Sequence, residues 1–201
     1  MEDDKEVIQD LVKSLEESVL LFSKHGKSKR EIWSLNEFLK NINISFKEDE
    51  LVCGDNPPDA IFRGAEFEIK IIDEKNRITH LEYKRKLEKS KSAQTLKELM
   101  VPWNFKEISL QGAVERIDER LKSFIYSPGF CKSTNILFYL NYRVVGKRDY
   151  VIPEKNIWDK WRSVSLVANN GLSYVFLATD SAPEFIKLAA ENKQEGSTLE
   201  T

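Results

Sequence analysis

The sequence predicts an α/β protein in which a mixed central sheet is flanked by helices, with an additional helix at the N-terminus. Stretches with apolar residues at helical spacing alternate with short apolar stretches bounded by turn residues. Their order in the middle of the chain is helix, three strands, helix, strand. The strongly apolar stretch 135–142 is predicted to be the central strand, because a strand buried on both faces is continuously hydrophobic.

The first half of the chain predicts two helices followed by three strands. Residues 4–23 form an amphipathic pattern, and a second helix is expected from about Ser28 to about Ile42. Ser28 precedes Glu31 by three residues, which is the pattern of a capping box. Strands are predicted over 44–53, 59–62 and 65–73, with turns at 54–57 and at Arg63-Gly64.

The second half continues the alternation. Helices are predicted over 78–99, 109–126 and 183–190, with a break at 101–104. Strands are predicted over 135–142, 164–168 and 174–177. The last two flank Asn169-Asn170-Gly171, which is typical of a hairpin turn. We expect one domain over residues 1–190, which includes helix 4–23, and a flexible tail over 191–201.

Composition limits the cellular setting. No apolar run reaches the ~18 to 20 residues that a membrane span needs, so no membrane association is expected. The acidic N-terminus lacks the form of a signal peptide, which favours a cytoplasmic protein. The two cysteines, Cys53 and Cys131, are far apart in sequence and fit free thiols in a reducing compartment.

Charge is unevenly distributed along the chain. The formal net charge is −2, but the acidic residues concentrate at both ends, which leaves the body of the chain modestly basic. The cluster Lys84, Arg85 and Lys86 is a candidate contact for nucleic-acid phosphates, although a solvated surface is the alternative. Nucleic acid, with DNA as the expected form, is the predicted partner, and the first helix could also serve a homodimer.

A possible catalytic pattern joins Asp59 to the strand that carries Glu68 and Lys70. Residues i and i+2 of a strand share a face, so Glu68 and Lys70 should lie opposite Phe67 and Ile69. A hairpin would bring both carboxylates and the ammonium to one end of the sheet. Two carboxylates can hold Mg²⁺ or Mn²⁺, and the lysine can position a water or stabilise negative charge. The alternatives are a turn-closing Asp59 and a solvated face of the strand.

Glu31 is a candidate third carboxylate. A helical projection places it within the apolar stripe of the second helix, whereas Glu37 lies on the opposite side. An acid facing a core is costly unless it meets a cation or a metal. A partner in Lys29 or Arg30, the capping box, and a metal site therefore all stay open.

Pro58-Asp59 followed by Glu68-Ile69-Lys70 resembles the motif of the PD-(D/E)xK nuclease superfamily. The resemblance implies a restriction-endonuclease-like core and a site in which Glu31, Asp59 and Glu68 bind Mg²⁺ or Mn²⁺. Asp59, Glu68 and Lys70 would then be the catalytic residues.

A second resemblance spans roughly residues 28–188. The segments 57–68, 161–167 and 182–186 resemble a bacterial family of unknown function that is labelled as an endonuclease without proof of activity. The two resemblances imply a metal-dependent endonuclease that hydrolyses phosphodiester bonds. The alternative is a catalytically inactive module of the nuclease fold that binds nucleic acid or a protein partner.

Overall fold

The computed structural model describes residues 2–55, 57–74, 78–99, 106–146 and 149–195. The helices are α1 (Glu2–Leu21), α2 (Lys27–Asn41), α3 (Thr79–Ser92), α4 (Leu110–Lys122), α5 (Pro128–Ser133), α6 (Lys155–Trp158) and α7 (Glu184–Glu195). The strands are β1 (Leu51–Cys53), β2 (Ala60–Phe62), β3 (Ala65–Ile72), β4 (Glu107–Ser109), β5 (Asn135–Leu140), β6 (Arg143–Val145), β7 (Ser163–Ala168) and β8 (Ser173–Ala178).

The chain divides into two compact units. The first comprises residues 1–30 and 75–105, and the second comprises residues 31–74 and 106–201. Helices α1 and α3 make up most of the first unit. The ring of Phe22, which follows α1, stacks on Tyr83 of α3 at 5.1 Å between centroids, and Lys91 forms a 2.6 Å ion pair with Glu16. Aromatic and charged contacts thus join these two helices.

The second unit is built on a six-stranded sheet in the order β1-β2-β3-β5-β7-β8. Strand β5 is parallel to both its neighbours, β3 and β7, whereas the pairs at the two edges are antiparallel. The sheet is therefore mixed, and β5 is buried along its whole length. The predicted α/β class with a mixed central sheet is confirmed, and so is the central position of the 135–142 segment.

Helices cover both faces of this sheet. On one face α2 and α7 contribute Leu35, Phe38 and Ile186 to a core that includes Phe67 and Ile69 of β3. On the other face α4 contributes a second core, which includes Val114, Ile117, Phe138, Leu166 and Trp158. Because successive residues of β3 point to opposite faces, Glu68 and Lys70 lie on the face that α4 covers.

Several predicted bounds differ from the structure. The strand expected over 44–53 is reduced to β1, because Glu48–Glu50 form a 3-10 turn in which Glu50 Oε1 accepts a 2.8 Å hydrogen bond from the Lys47 amide. The helix expected over 78–99 ends at Ser92, and a separate 3-10 turn spans Leu96–Leu99. The predicted break at 101–104 lies outside the described residues.

Two helix ends also differ. Helix α2 begins at Lys27, so Ser28 lies in its first turn and is not the predicted N-cap; Ser23 instead caps the short 3-10 turn before it. Helix α7 runs to Glu195, beyond the expected end near Ala190, and residues 196–201 of the predicted tail lie outside the described residues. Among the described residues, no helix has the length and apolar character needed to cross a bilayer.

Asp118 of α4 anchors the second core. Its Oδ1 accepts a 2.8 Å hydrogen bond from the buried Trp158 Nε1, and its Oδ2 lies 2.8 Å from Lys122 Nζ. Burial raises the pKa of Asp118, but the hydrogen bonds from Lys122 and Trp158 outweigh it and hold the pKa below the ordinary value of 3.8. The ionised form is therefore the one that the fold stabilises.

We predict that Asp118→Ala lowers the free energy of unfolding by about 1–3 kcal/mol, because the buried Trp158 N–H loses its acceptor. Asp118→Asn keeps an acceptor and should cost less. The pKa of Asp118 is depressed on folding, so its charge stabilises the fold above the unfolded pKa and ceases to do so as pH falls through the folded pKa. Urea unfolding of the wild type and Asp118→Asn should show a difference at pH 7 that disappears in acid; a pH-independent difference would contradict this account.

Candidate functional site

The β2–β3 hairpin brings Asp59 to the middle of β3. Its two-residue turn has positive φ at both positions, 48° at Arg63 and 75° at Gly64, which matches the twist of a tight hairpin. The register pairs Ala60 with Phe67. The hairpin expected from the sequence is therefore confirmed. Asp59 directly precedes β2, so it lies at the open end of the hairpin, away from the Arg63-Gly64 turn.

Asp59 takes the place of a strand partner for β3. Its amide donates a 3.0 Å hydrogen bond to the Phe67 carbonyl, and its side-chain Oδ2 accepts a 2.8 Å hydrogen bond from the Ile69 amide. The side chain is fully buried. Pro57 and Pro58, which precede it, have no N–H to donate, so a backbone ladder cannot continue in that direction toward β3.

Lys70 links the two carboxylates. Its Nζ lies 3.6 Å from Asp59 Oδ2 and in short contact with Glu68 Oε1. The carboxylate side chains are 0% and 2% exposed, against 19% for Lys70, which makes the lysine the member of the group that reaches solvent. Burial lowers the pKa of Lys70, but the hydrogen bond with Glu68 and the charge of Asp59 outweigh it and raise the pKa above its ordinary value. Lys70 is thus an ammonium at neutral pH.

Tyr126 is a further member of the site that the sequence analysis did not single out. It follows α4, and its hydroxyl donates a 2.6 Å hydrogen bond to Glu68 Oε1. Burial and this hydrogen bond raise the pKa of Tyr126, so the phenol keeps its proton. No local sequence signal marks it, because its contact with Glu68 joins residues 58 positions apart.

Glu68 uses its two oxygens unequally. Both Lys70 and Tyr126 meet Oε1, while Oε2 is buried without a hydrogen-bond partner in the part of the chain that the structure describes. A buried acceptor without a donor costs about 1–3 kcal/mol, more when it is charged. An oxygen in this position is suited to a cation or to a donor brought by a ligand.

The Ile69 carbonyl is a third oxygen at the same place. In a strand the N–H and C=O of one residue point to the same side, and the Ile69 N–H points to Asp59. Pro57 and Pro58 lack N–H groups, so neither of them can donate a hydrogen bond to this carbonyl. Asp59, Glu68 and this carbonyl together supply oxygen ligands of the kind that hard divalent cations take.

Glu31 is buried in α2, as its place in the apolar stripe predicts, whereas the Glu37 side chain is 35% exposed and pairs with Lys40. Helix α2 packs on the face of the sheet opposite to Glu68. The described residues contain no group of three or more His, Cys, Asp or Glu side chains placed to hold one metal ion. A role of Glu31 in metal binding stays a prediction.

The basic cluster lies on α3, in the first unit. Lys84 and Arg85 are exposed, and Lys86 pairs with Glu82 at 3.1 Å and lies 5.9 Å from the centre of the Tyr83 ring. Two of the three cations are thus open to solvent. A contact of this cluster with phosphates stays a prediction.

The comparison with known families agrees with the second resemblance. Residues 3–194 match the family described as "Putative endonuclease, protein of unknown function (DUF1780)". The chain belongs to this family. The match covers nearly the whole sequence, and its description carries a nuclease suggestion without a demonstrated activity.

The fold has a solved counterpart. A structure from Pseudomonas aeruginosa strain PAO1, described as a protein of unknown function of the monooxygenase superfamily, is 20% identical to this chain. The alignment covers 91% of this chain and 90% of the other, with a TM-score of 0.58. At this identity the likeness shows the fold alone. No curated protein matches the chain.

We predict that Lys70→Met destabilises the protein by about 3 kcal/mol, because it leaves two buried carboxylates without their shared cation. The double variant Glu68→Gln/Lys70→Met should recover part of this loss, since one buried charge is removed. Urea unfolding at pH 7 measures both free energies. A double variant no more stable than Lys70→Met would show that charge burial is not the cause.

Proposed function

We propose that this protein is a metal-dependent endonuclease of the PD-(D/E)xK type, with Asp59, Glu68 and Lys70 as the catalytic residues. The observation that carries the proposal is the buried group itself. Two carboxylates lie next to one ammonium at the end of a hairpin, and Glu68 Oε2 has no donor among the described residues. A buried polar atom without a hydrogen-bond partner calls for an explanation, and a bound ion is one.

The residues present fit Mg²⁺ or Mn²⁺. Mg²⁺ in proteins is commonly bound by one or two carboxylates together with water and substrate phosphate oxygens. Asp59 and Glu68 would be those carboxylates, and the Ile69 carbonyl would be a third ligand. All are oxygen donors, which also suits Mn²⁺.

A bound metal would supply Lewis acidity toward the phosphate and the leaving oxygen. The chain's own contribution is mainly electrostatic. The Lys70 ammonium, which lies next to both carboxylates, would orient the attacking water and stabilise the negative charge that develops on the reacting phosphate. Tyr126 would hold Glu68 in place through its hydroxyl.

The exposure of the group suggests how substrate enters. Lys70 is the most exposed of the three side chains, so the phosphodiester would approach over its ammonium. Nucleic acid, with DNA as the expected form, is the substrate in this proposal. On the first unit, Lys84, Arg85 and Lys86 are proposed as separate contacts for nucleic-acid phosphates, since exposed cations attract phosphates whatever the sequence.

A second candidate function is a catalytically inactive module that binds nucleic acid or a protein. One observation favours it: Lys70 already satisfies much of the charge of both carboxylates. A salt bridge of this kind can serve the fold alone. Metal binding separates the two candidates, because the inactive module has no need of it.

We predict that cleavage of plasmid and single-stranded DNA with Mn²⁺ falls at least about 10²-fold in Lys70→Ala, because a charge that stabilises the transition state is lost. Lys40→Ala is the matched control, since this exposed lysine pairs with Glu37 on α2. Both proteins should be compared below their melting temperatures. Equal cleavage by wild type and Lys70→Ala would refute the catalytic assignment.

We also predict that Mn²⁺ or Mg²⁺ stabilises the wild type and fails to stabilise Asp59→Asn/Glu68→Gln. A ligand at about 100 times its dissociation constant adds roughly 2.7 kcal/mol to the free energy of unfolding. Thermal melts with metal and with a chelator measure this shift, and Ca²⁺ serves as a cation of different size. The absence of any shift in the wild type would favour the inactive module.

A further inference from the structure

A cavity of about 170 Å³ lies within the second unit, and two of the residues that line it contact Glu68 and Lys70. Three aromatic side chains, Phe124, Tyr126 and Trp161, form much of its wall, and Lys122 and Lys160 lie at its border. Asp59 and Glu68 are not among the residues that line it. The cavity therefore combines apolar ring surface with positive charge.

Two of the wall residues also contact the candidate catalytic residues. The Tyr126 hydroxyl donates to Glu68 Oε1 at 2.6 Å, and the Phe124 ring centre lies 5.9 Å from Lys70 Nζ. One layer of side chains, Phe124 and Tyr126, would thus separate a group held in the cavity from the site at which the phosphodiester is proposed to react. The cavity is placed to bind part of the same substrate.

Size and shape limit what can enter. A volume near 170 Å³ lies below the ~300 Å³ at which pockets for drug-sized ligands begin, so it suits a single ring system. The rings of Phe124 and Tyr126 are only half-buried, whereas Trp161 is buried and meets them edge-on at 6.5 and 5.7 Å between centroids. Phe130 covers part of the Tyr126 ring at 5.0 Å, and Arg120 covers part of the Phe124 ring at 5.1 Å, so the ring surface that they leave open is what the cavity offers to a flat aromatic group.

Of the two lysines that line the cavity, one is paired with carboxylates and the other is not. Lys122 Nζ pairs with Asp118 at 2.8 Å and Glu154 at 2.6 Å, which offset its charge. Lys160 is exposed and has no carboxylate within ion-pair distance among the described residues. Its ammonium is available to an anion at the mouth of the cavity. A flat aromatic group that carries an adjacent anion is the ligand chemistry that matches.

We propose that this cavity binds one base of a single-stranded nucleic acid, with a neighbouring phosphate on Lys160. The bases of a duplex are paired and stacked, so only an unpaired base can leave its strand and enter a cavity of this size. This inference rests on the proposed function, because it names the substrate class as single-stranded. The binding step itself needs no metal.

Fluorescence anisotropy in EDTA tests the proposal without cleavage. The probes are a labelled oligothymidylate of about eight nucleotides and an abasic strand with the same number of phosphates. Because backbone charge is equal, the electrostatic part of binding is shared and a difference reports the bases. We expect oligothymidylate to bind about tenfold more tightly. The same oligothymidylate, joined to oligoadenylate through a non-nucleotide linker so that the A·T pairs form within one molecule, should lose this advantage.

Substitutions of the residues that line the cavity test whether the preference for oligothymidylate over the abasic strand arises there. Tyr126→Leu should bring the ratio of the two affinities close to one, whereas Tyr126→Phe keeps the ring and should keep the ratio. Lys160→Gln should weaken both strands about threefold, as expected for a phosphate contact. Lys155→Gln is the matched control, since Lys155 is an exposed lysine of α6 that does not line the cavity. Melting curves confirm folding, and Lys160→Gln keeps the test valid if Tyr126→Leu unfolds.

Base binding in EDTA and metal-dependent cleavage are measured separately, so either can be absent while the other is present. Equal affinity for thymidylate and abasic strands, or a duplex that binds as tightly as the single strand, would overturn the base-binding cavity even if Mn²⁺-dependent cleavage is seen. A tenfold base preference in EDTA would support the cavity even if no metal ion produces cleavage.

Discussion

Burying two carboxylates side by side is costly unless a cation accompanies them, and Lys70 meets this requirement. Its ammonium contacts both Asp59 and Glu68 while staying the most exposed of the three. The hairpin must hold Asp59 at the right height along β3 for one lysine to reach both acids. Local backbone geometry and the charge balance of the interior are thus coupled at this point of the fold.

The backbone around Asp59 follows from the same constraint. The paired positive φ angles at Arg63 and Gly64 fix the register of the hairpin, and the two prolines before Asp59 prevent further backbone pairing. The Asp59 side chain then accepts a hydrogen bond from the Ile69 amide, which would otherwise lack a partner on that side of β3. Carboxylate oxygens of Asp59 and Glu68 are thereby brought to one lysine where β2 begins, the arrangement that we propose as a site for a hard cation.

Family membership and fold likeness constrain function to different degrees. The family description suggests a nuclease, while the solved structure of similar fold is described with the monooxygenase superfamily. A fold hosts many activities, so the side chains at the site must decide among them. In the function that we propose, the buried acids with their lysine would serve phosphodiester hydrolysis, and the aromatic cavity beside Tyr126 would add selection of the substrate.

Sequence alone determined the features that depend on neighbours along the chain. The strand period placed Glu68 and Lys70 on one face, the Arg63-Gly64 turn indicated the hairpin that adds Asp59, and the apolar 135–142 run indicated the central strand. Tertiary structure decided what depends on distant partners. It brought Tyr126 to Glu68 across 58 positions, left Glu68 Oε2 without a donor among the described residues, and formed the cavity at Trp161. Such contacts leave no periodic trace in a sequence, because they arise only when separate elements pack together.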